Sequence, residues 1–121
     1  MNTSNKGKIG EEEAVSFLES KGYKILYRNW HYGHREIDII AQFGQIIVIV
    51  EVKIRSKKNP LTLSELVPLR KQKLLIEAAN HFVMQKNINN EIRFDIISII
   101  YDYSKIIIEH IENAFYPKVR R

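Results

Sequence analysis

Apolar and polar residues follow two periodicities along the chain, which together predict two helices and five strands. Residues 46–50 are β-branched and apolar without a break, which is typical of an interior strand. Apolar residues spaced three and four positions apart instead indicate amphipathic helices over residues 10–22 and 68–86. The strands are predicted over residues 23–30, 35–43, 45–53, 92–102 and 105–111. The resulting order, α-β-β-β-α-β-β, is that of a mixed α/β domain in which helices pack on a central sheet.

The turn between the second and third strands sets which of their side chains face one another. A two-residue type II′ turn at residues 44–45 pairs Phe43 with Ile46 and, counting back, Asp38 with Glu51. Because side chains alternate with period two, four charged residues then share one face of the hairpin. These are Glu36, Asp38, Glu51 and Lys53, while the opposite, apolar face carries Ile37, Ile39, Val50 and Val52.

Each predicted helix carries one charged residue on its apolar stripe. Glu11 is followed by apolar residues at the third, fourth and seventh positions, and Lys71 has apolar residues at the same three offsets. Glu12 and Glu13 lack that spacing and lie off the stripe. One acid and one base are therefore predicted to face inward, each from near the start of its helix.

The composition narrows the class of protein. A chain of 121 residues is long enough for one compact domain and too short for two, so a single domain over residues 1–121 is expected.

The polar stretch at residues 56–65 is predicted to be a flexible loop, and residues 116–121 a basic tail. No apolar run reaches the roughly 20 residues that cross a bilayer, which predicts a cytoplasmic protein without a membrane partner. The absence of cysteine excludes disulfides and thiolate metal sites.

The net charge of +5 favours a polyanionic partner such as nucleic acid. Basic residues lie just past the Glu51–Lys53 strand end and again at the start of the second helix. They are predicted to form a rim that contacts phosphates, and a solvated surface is the alternative interpretation. The predicted nucleic-acid-binding residues are Arg35, Arg55, Lys57, Lys58, Arg70, Lys71 and Lys73.

Asp38 and Glu51 side by side form a pair of hard oxygen ligands suited to Mg²⁺, or to Mn²⁺. A metal held there would lower the pKa of a bound water and clamp a phosphate oxygen. Lys53 would orient the attacking hydroxide or stabilise the charge that develops on the phosphate. The arrangement fits cleavage of a phosphodiester bond. Two plainer interpretations compete with it: solvated charges at a strand end, and a cross-strand ion pair between Glu36 and Lys53.

Aromatic residues and histidines are weaker candidates, and a structural role is the favoured interpretation for most of them. An aromatic cluster is formed by Tyr27, Trp30 and Tyr32. Nucleic-acid bases can stack on such rings, but packing of the strand against a helix is the favoured interpretation. His31 and His34 are interpreted as solvated or phosphate-contacting rather than as a metal pair, and His81 and His110 as incidental. The segment RFD places Arg93 and Asp95 on one strand face, where they are interpreted as a structural pair.

Six segments between residues 7 and 100 are informative as a set, in the order GKIGEEEAVSFLESKGYKIL, RNW, EIDIIA, VIVEVKIR, RKQKLLIEAANHF and RFDIISI. With these segments the chain resembles the YraN family, small bacterial proteins of the restriction-endonuclease-like, PD-(D/E)xK superfamily that are similar in shape to archaeal Holliday-junction resolvases. The resemblance implies a restriction-endonuclease-like αβββαβ core, with a mixed central sheet flanked by helices. That core agrees with the order of elements predicted from the periodicity.

Carried over position by position, the resemblance also implies a set of catalytic residues. Asp38 and Glu51 match the family's metal-binding carboxylates, and Lys53 matches its catalytic lysine. Glu11 matches the first-helix glutamate that supplements the metal site. Glu36 matches the glutamate of the family's GEID stretch, and Lys71 matches the lysine that opens its second core helix. Arg35 departs from the family, which usually has glycine there, and it either narrows the site or adds a phosphate contact.

The leading hypothesis is a nucleic-acid-binding protein with a metal-dependent endonuclease site that acts on structured or damaged DNA. The second is a catalytically silent nucleic-acid-binding module with the same fold. The third is a structural protein whose acidic cluster binds a basic surface, against which the basic rim argues. Resolvase relatives work as dimers, so a homodimer is expected by analogy.

Overall fold

The computed structural model describes residues 3–57 and 61–115, which form three helices and five strands. In chain order the elements are α1 (Thr3–Ser20), β1 (Lys24–Tyr32), β2 (Arg35–Phe43), β3 (Ile46–Ser56), α2 (Leu63–Leu66), α3 (Leu69–Gln85), β4 (Glu91–Asp102) and β5 (Lys105–Phe115). The predicted α-β-β-β-α-β-β order is confirmed, with the short helix α2 as an addition. Within these ranges no helix has both the length and the apolar character needed to cross a membrane.

The five strands form one sheet in the order β1-β2-β3-β4-β5. Neighbouring strands run antiparallel except β3 and β4, which are parallel and are connected through α3. A parallel pair needs such a crossover because the chain must return to the starting end of the sheet before the second strand begins. β3 is therefore the central strand, in agreement with its unbroken apolar run. A mixed sheet flanked by helices confirms the predicted fold class.

Helices α1 and α3 bury hydrophobic clusters on opposite faces of the sheet. Leu18 of α1 packs in one cluster and Phe82 of α3 packs in the other. Because side chains of a strand point alternately to the two faces, β3 contributes Val50 to the α1 cluster and Ile49 to the α3 cluster. Any charged residue that β3 carries between these helices is thereby removed from water.

The hairpin between β2 and β3 has the predicted register. Phe43 pairs with Ile46, and the pairing continues back to Ile39 and Val50. Gly44 has a left-handed backbone with a φ of 60°, whereas residue 45 does not, as a type II′ turn requires. The two-residue turn therefore positions the whole hairpin.

The predicted alternation of side chains fails at the far end of this hairpin. Ile37 lies in the α3 cluster and Ile39 in the α1 cluster, so the prediction that they share a face is wrong. The β2–β3 pairing stops at Ile39, and in β1 the residue between the partners of Ile37 and Ile39 is Asn29, which is left-handed with a φ of 52°. The backbone of β1 is distorted at Asn29, and period-two alternation holds only along an undistorted strand.

The predicted loop over residues 56–65 is shorter in the structure. β3 continues through Ser56, and α2 begins at Leu63 because Thr62 and Glu65 form a capping box. The Thr62 hydroxyl accepts the Glu65 N–H at 3.3 Å and donates to Glu65 Oε1 at 2.8 Å. The spacing T-x-x-E was the available sequence signal for this helix. Residues 58–60 and the predicted basic tail at 116–121 lie outside the described residues.

Asp95 is fully buried on β4 and accepts four hydrogen bonds. Arg93 Nε and Nη2 donate to it at 2.9 and 2.8 Å, His110 Nε2 at 2.7 Å, and the N–H of Asn113 at 3.0 Å. The interpretation of Arg93 and Asp95 as a structural pair is confirmed. The interpretation of His110 as incidental is wrong, because its side chain is 3% exposed and bonds the buried carboxylate from a different strand.

We expect Asp95→Asn to lower the free energy of unfolding by about 3 kcal/mol, because Arg93 and His110 would lose their buried anionic partner. Burial by itself would raise the pKa of Asp95, but the hydrogen bonds from His110, Arg93 and the Asn113 N–H outweigh burial and lower it. Because its pKa is lower in the folded than in the unfolded protein, the ionised Asp95 stabilises the fold at any pH above the ordinary aspartate pKa of about 4. This stabilisation is lost as the pH falls through the folded-state pKa.

Urea denaturation between pH 3 and pH 7 measures both the loss of stability and its dependence on acid. The wild type should lose stability steeply at the acid end, and Asp95→Asn should start lower and change less. A variant that is as stable as the wild type and equally acid-sensitive would show that Asp95 is not the structural anion of this network.

Candidate active site

Asp38 lies where β2 separates from β3. The last paired residues of the two strands are Ile39 and Val50, and just beyond them Asp38 Oδ2 accepts the Val52 N–H at 2.8 Å. The carboxylate takes the place of a backbone carbonyl from β2, so the Val52 donor stays satisfied although the strands have parted. Asp38 is consequently held against β3, at the level of Glu51.

Glu51 lies on the central strand with only 7% of its side chain exposed. Its Oε2 atom is buried without a hydrogen-bond partner, and Lys71 Nζ, at 3.7 Å, is too far away to donate one. Burial, and after it the neighbouring Asp38 carboxyl, raise the pKa of Glu51 to about 8, against the opposing charges of Lys71 and Lys53. The two carboxylates are therefore close enough to disfavour ionisation of both.

Glu11 approaches the same place from α1. It is half-buried, and burial followed by the charge of Asp38 raises its pKa, while Arg28 opposes that shift. Gly10 permits the approach, because a Cβ at this position would lie 2.6 Å from Ile54 Cγ1 on β3 and would force one of them to move. The role of Gly10 could not be identified from the sequence, in which a glycine before three glutamates indicates only a helix start.

The structure thus groups the predicted catalytic residues at one end of the hairpin. Lys53 is near enough to Glu51 to oppose the rise in its pKa. Glu36 lies 3.8 Å from His31 across β1 and β2 rather than against Lys53, so the alternative of a Glu36–Lys53 ion pair is not found. The catalytic roles themselves stay predictions, because proximity does not demonstrate turnover.

The carboxylates fit a divalent cation in part. A buried carboxylate oxygen without a partner, next to a second carboxylate, is a place where a bound cation would relieve both desolvation and repulsion. Mg²⁺ and Mn²⁺ accept such oxygens and complete their coordination with water. Across the residues that the structure describes, no group of three or more His, Cys, Asp or Glu side chains is arranged to hold a metal ion. Glu11 therefore does not complete a three-ligand set in this arrangement, and the predicted metal site depends on Asp38 and Glu51.

One part of the predicted basic rim is attached to β4 and β5. Arg55 Nε donates to Ser98 Oγ at 3.0 Å, and Arg55 Nη2 lies 3.5 Å from Glu109. Lys57 Nζ lies 3.4 Å from Asp102. These cations hold the end of β3 to its neighbours, and their charges are already compensated by carboxylates.

The remaining cations of the rim gather near the start of α3. Arg70 and Lys73 are exposed and form no ion pair with another described residue. Arg35 extends from β2 toward this helix, with its Nη2 atom 3.1 Å from Glu77. Lys58 lies outside the described residues. The positive charge available to a polyanion is therefore concentrated at α3 rather than along the end of β3.

The aromatic residues of β1 pack mainly against α3. Tyr27 and Trp30 both meet Phe82 edge to face, with ring centroids 5.5 Å apart in each pair, which confirms the packing interpretation for these two. Tyr32 instead stacks on His81 with centroids 3.5 Å apart, and both rings are exposed. Base stacking stays a prediction for this stacked pair.

A cavity of about 150 Å³ lies beside the carboxylate pair, between the β1–β2 turn, the start of β2 and the first half of α3. Lys71 connects it to the carboxylates, because the same side chain lines the cavity and lies 3.7 Å from Glu51. The lining residues are His34, Arg35, Glu36, Lys71, Leu74 and Leu75.

Comparison with known proteins identifies the family that the chain matches. A family model described as uncharacterised protein family UPF0102 matches residues 10–99. A UPF0102 protein of Flavobacterium psychrophilum is 46% identical over 110 residues, which cover 91% of this chain and 92% of that protein. UPF0102 proteins of Bacteroides thetaiotaomicron and Flavobacterium johnsoniae are 44% and 42% identical, over 92% and 91% of this chain and 92% and 93% of theirs. The resemblance to the YraN family, to which this model corresponds, is confirmed.

We expect Glu51→Gln to remove most of a pH-dependent loss of stability in the metal-free protein. The folded-state pKa of Glu51 is raised to about 8, so its protonated form stabilises the fold at acid pH. That contribution is fully present below the ordinary glutamate pKa of about 4.3 and is lost as the pH rises through the folded-state pKa.

Urea denaturation in EDTA at pH 5, 6.5 and 8.5 should show that the wild type loses stability as the pH rises and that Glu51→Gln loses much less. Glu19→Gln, at an exposed position of α1, is the matched control and should follow the wild type. If the wild type and Glu51→Gln have the same pH profile, then Glu51 is not protonated in the folded protein at neutral pH.

Proposed function

The chain belongs to the uncharacterised protein family UPF0102, and we propose that it is a nucleic-acid-binding protein with a metal-dependent endonuclease site that acts on structured or damaged DNA. The observation that carries this proposal is the buried Glu51 carboxylate beside Asp38, with one oxygen lacking a hydrogen-bond partner. Buried groups in such unfavourable surroundings concentrate at functional sites, where a ligand relieves them. Two adjacent carboxylates followed by a lysine support phosphodiester hydrolysis among the reactions that a cation promotes.

Asp38 and Glu51 are the residues that would hold the cation. When bound there, a divalent metal supplies Lewis-acid polarisation of a phosphate oxygen and lowers the pKa of a coordinated water. Glu11 adds negative charge next to Asp38, which favours a cation in this place over an anion. The Val52 N–H keeps Asp38 oriented toward β3, so the carboxylate does not have to be ordered when the ion binds.

Lys53 and Lys71 supply the positive charge on the other side of the pair. Lys53 lies on β3 two residues after Glu51, where its ammonium would orient the attacking water and stabilise the charge that develops on the phosphate oxygens. Lys71 approaches from α3, 3.7 Å from Glu51, and would contact a phosphate of the substrate. Both ammonium groups also oppose the rise in the pKa of Glu51.

The exposed cations of α3 favour a nucleic acid as the substrate. Arg70 and Lys73 have no ion-pair partner among the described residues and lie on the same helix as Lys71. A strand of DNA that follows this helix would release counterions and pass its phosphates over the carboxylate pair. The preference for branched or damaged DNA is what the likeness to resolvases implies.

A second candidate function is a nucleic-acid-binding module without turnover. It is favoured by one observation, that the carboxylates among the described residues do not form a three-ligand metal site. Such a protein would bind DNA with an affinity that falls steeply with salt concentration, and would cleave none of the substrates in the presence of metal.

Cleavage of labelled branched, single-stranded and duplex DNA in Mg²⁺ or Mn²⁺ tests the proposed function directly. We expect branched DNA to be cut, and both Asp38→Ala and Lys53→Ala to reduce the rate at least about 100-fold, because each removes a group that acts on the reacting phosphate. Lys105→Ala, at the exposed start of β5, is the control and should cleave like the wild type.

Two results would decide against the nuclease. Cleavage that Asp38→Ala leaves unchanged would come from a contaminant. Binding of branched DNA without cleavage in either metal would establish the silent module instead.

Metal binding can be measured without substrate. At a Mn²⁺ concentration of 100 times the dissociation constant, we expect the wild type to gain about 2.7 kcal/mol of unfolding free energy. Asp38→Asn should gain nothing, yet remain at least as stable without metal, because an amide oxygen still accepts the Val52 N–H and one repelling charge is gone. Lys53→Ala should keep the metal effect but be less stable without metal, because the acids lose a nearby cation.

Thermal melts of the three proteins in EDTA and in Mn²⁺ measure these differences. If metal changes none of the melts and Asp38→Asn destabilises the metal-free protein, then Asp38 is a structural residue and the metal-dependent mechanism fails.

A further inference from the structure

We propose that the cavity beside the carboxylate pair is a phosphate subsite, in which Arg35 and Lys71 bind one phosphate group of a nucleic-acid strand. The inference deepens the proposed function and rests on it for the identity of the strand. It concerns a phosphate next to the one that reacts, because neither Asp38 nor Glu51 lines the cavity, whereas Lys71 lines it and lies 3.7 Å from Glu51.

Arg35 is the residue that points to an anionic ligand. Its Nη2 atom lies 3.1 Å from Glu77 on α3, while its Nε–H is buried and has no acceptor. A buried donor of a charged group without an acceptor is unfavourable, and an oxygen anion in the cavity would satisfy it. The contact with Glu77 limits the freedom of the guanidinium, so less conformational entropy is lost when its Nε–H turns to a phosphate in the cavity.

Tyr32 and His81 keep Arg35 in this position from a second side. The Arg35 guanidinium lies 5.9 Å from the centre of the Tyr32 ring, and Tyr32 stacks on His81 of α3. A guanidinium that is restricted by such contacts loses less conformational freedom when it binds an anion. A lysine at this position would offer neither the fixed plane nor the free Nε–H.

Lys71 supplies the second positive charge of the subsite. It lines the cavity, and its ammonium is 3.7 Å from Glu51 without donating a hydrogen bond to Oε2. A flexible lysine in this position can contact a phosphate in the cavity without leaving the neighbourhood of the carboxylates. The phosphate would therefore be held one side chain away from the proposed metal ligands.

The size and walls of the cavity fit a phosphate with part of its sugar. A volume of about 150 Å³ has room for a phosphate group and is far too small for a duplex. Leu74 and Leu75 form an apolar wall on the α3 side that can contact the sugar. Glu36 is the one acid among the lining residues, and Glu77 and Glu51, which lie against Arg35 and Lys71, do not line the cavity.

Nuclear magnetic resonance of the Arg35 side-chain Nε–H tests the subsite with inorganic phosphate as the probe, in EDTA and without nucleic acid. We expect a saturable shift of this resonance in the wild type and none when sodium chloride replaces phosphate at equal ionic strength. Because Arg35→Gln lacks this resonance, the affinity of the variants is read from the backbone N–H resonances of Leu74 and Leu75, which line the cavity. Arg35→Gln and Lys71→Met should each weaken phosphate binding about tenfold, as expected for the loss of a charged hydrogen bond. Lys105→Gln, which removes a charge from the exposed start of β5, should bind like the wild type.

A second arm uses a single-stranded oligonucleotide in EDTA at fixed salt, because the proposed ligand is a phosphate within a strand. Arg35→Gln should again lose about tenfold in affinity and Lys105→Gln should not. Arg35→Lys, which keeps the charge and lacks the Nε–H, should resemble Arg35→Gln if the fixed donor is what matters. Melting curves of each variant show whether it is folded.

Some results overturn the subsite and leave the proposed nuclease untouched, and others do the reverse. A shift that chloride reproduces, or Arg35→Gln and Lys71→Met variants that bind phosphate as tightly as the wild type, would overturn the subsite whatever the outcome with metal. Saturable phosphate binding in a protein that metal does not stabilise would support the subsite and remove the nuclease.

Discussion

Glu51 carries a carboxylate on the central strand of the sheet, and the arrangement of its neighbours follows from that burial. A carboxylate that leaves water loses solvation that only nearby charges and hydrogen bonds can replace. The β2–β3 pairing ends at Ile39 and Val50, and the groups that act on the Glu51 carboxyl lie at this end of the hairpin or on α3: Asp38, Lys53 and Lys71. None of them donates a hydrogen bond to the Oε2 atom. The end of the hairpin is therefore a place that a cation would complete.

The same sheet contains a second buried carboxylate whose surroundings have the opposite effect. Asp95 on β4 accepts four hydrogen bonds and its pKa is lowered, whereas the Oε2 atom of Glu51 accepts none and the pKa of Glu51 is raised. Burial is common to both, so the difference comes from the donors that surround each group. A buried acid with its donors in place holds strands together, and one without them stores free energy that a ligand can release. This contrast is the reason for a structural interpretation of Asp95 and a functional one of Glu51.

The two helices give the candidate site an acidic side and a basic side. On the α1 side, Gly10 lets the helix approach β3 and brings Glu11 near Asp38. On the α3 side, Lys71 lies against Glu51, and Arg35 extends from β2 to the same helix. Negative charge on one side and positive charge on the other are what the proposed metal ion and phosphodiester would need together.

The amino-acid sequence by itself determined the elements and the register of the hairpin. The β-branched run at residues 46–50, the apolar stripes behind Glu11 and Lys71, and the turn at Gly44 are local features, each decided by residues a few positions apart. The pairing that the turn predicts holds from Phe43 and Ile46 back to Ile39 and Val50. Ile37 is the exception, because the left-handed Asn29 and the end of the β2–β3 pairing interrupt the period there.

Only the tertiary structure decided which distant groups meet. His110 on β5 bonds Asp95 on β4, and Arg35 on β2 contacts Glu77 on α3. The Asp38 carboxylate replaces a backbone acceptor for the Val52 N–H. Such contacts depend on how closely a helix packs on the sheet and on where two strands part, and no spacing along the chain encodes either distance. The burial of Glu51 is of the same kind: the sequence places a carboxylate at the end of a strand, and only the packing of the folded chain leaves that residue 6% exposed.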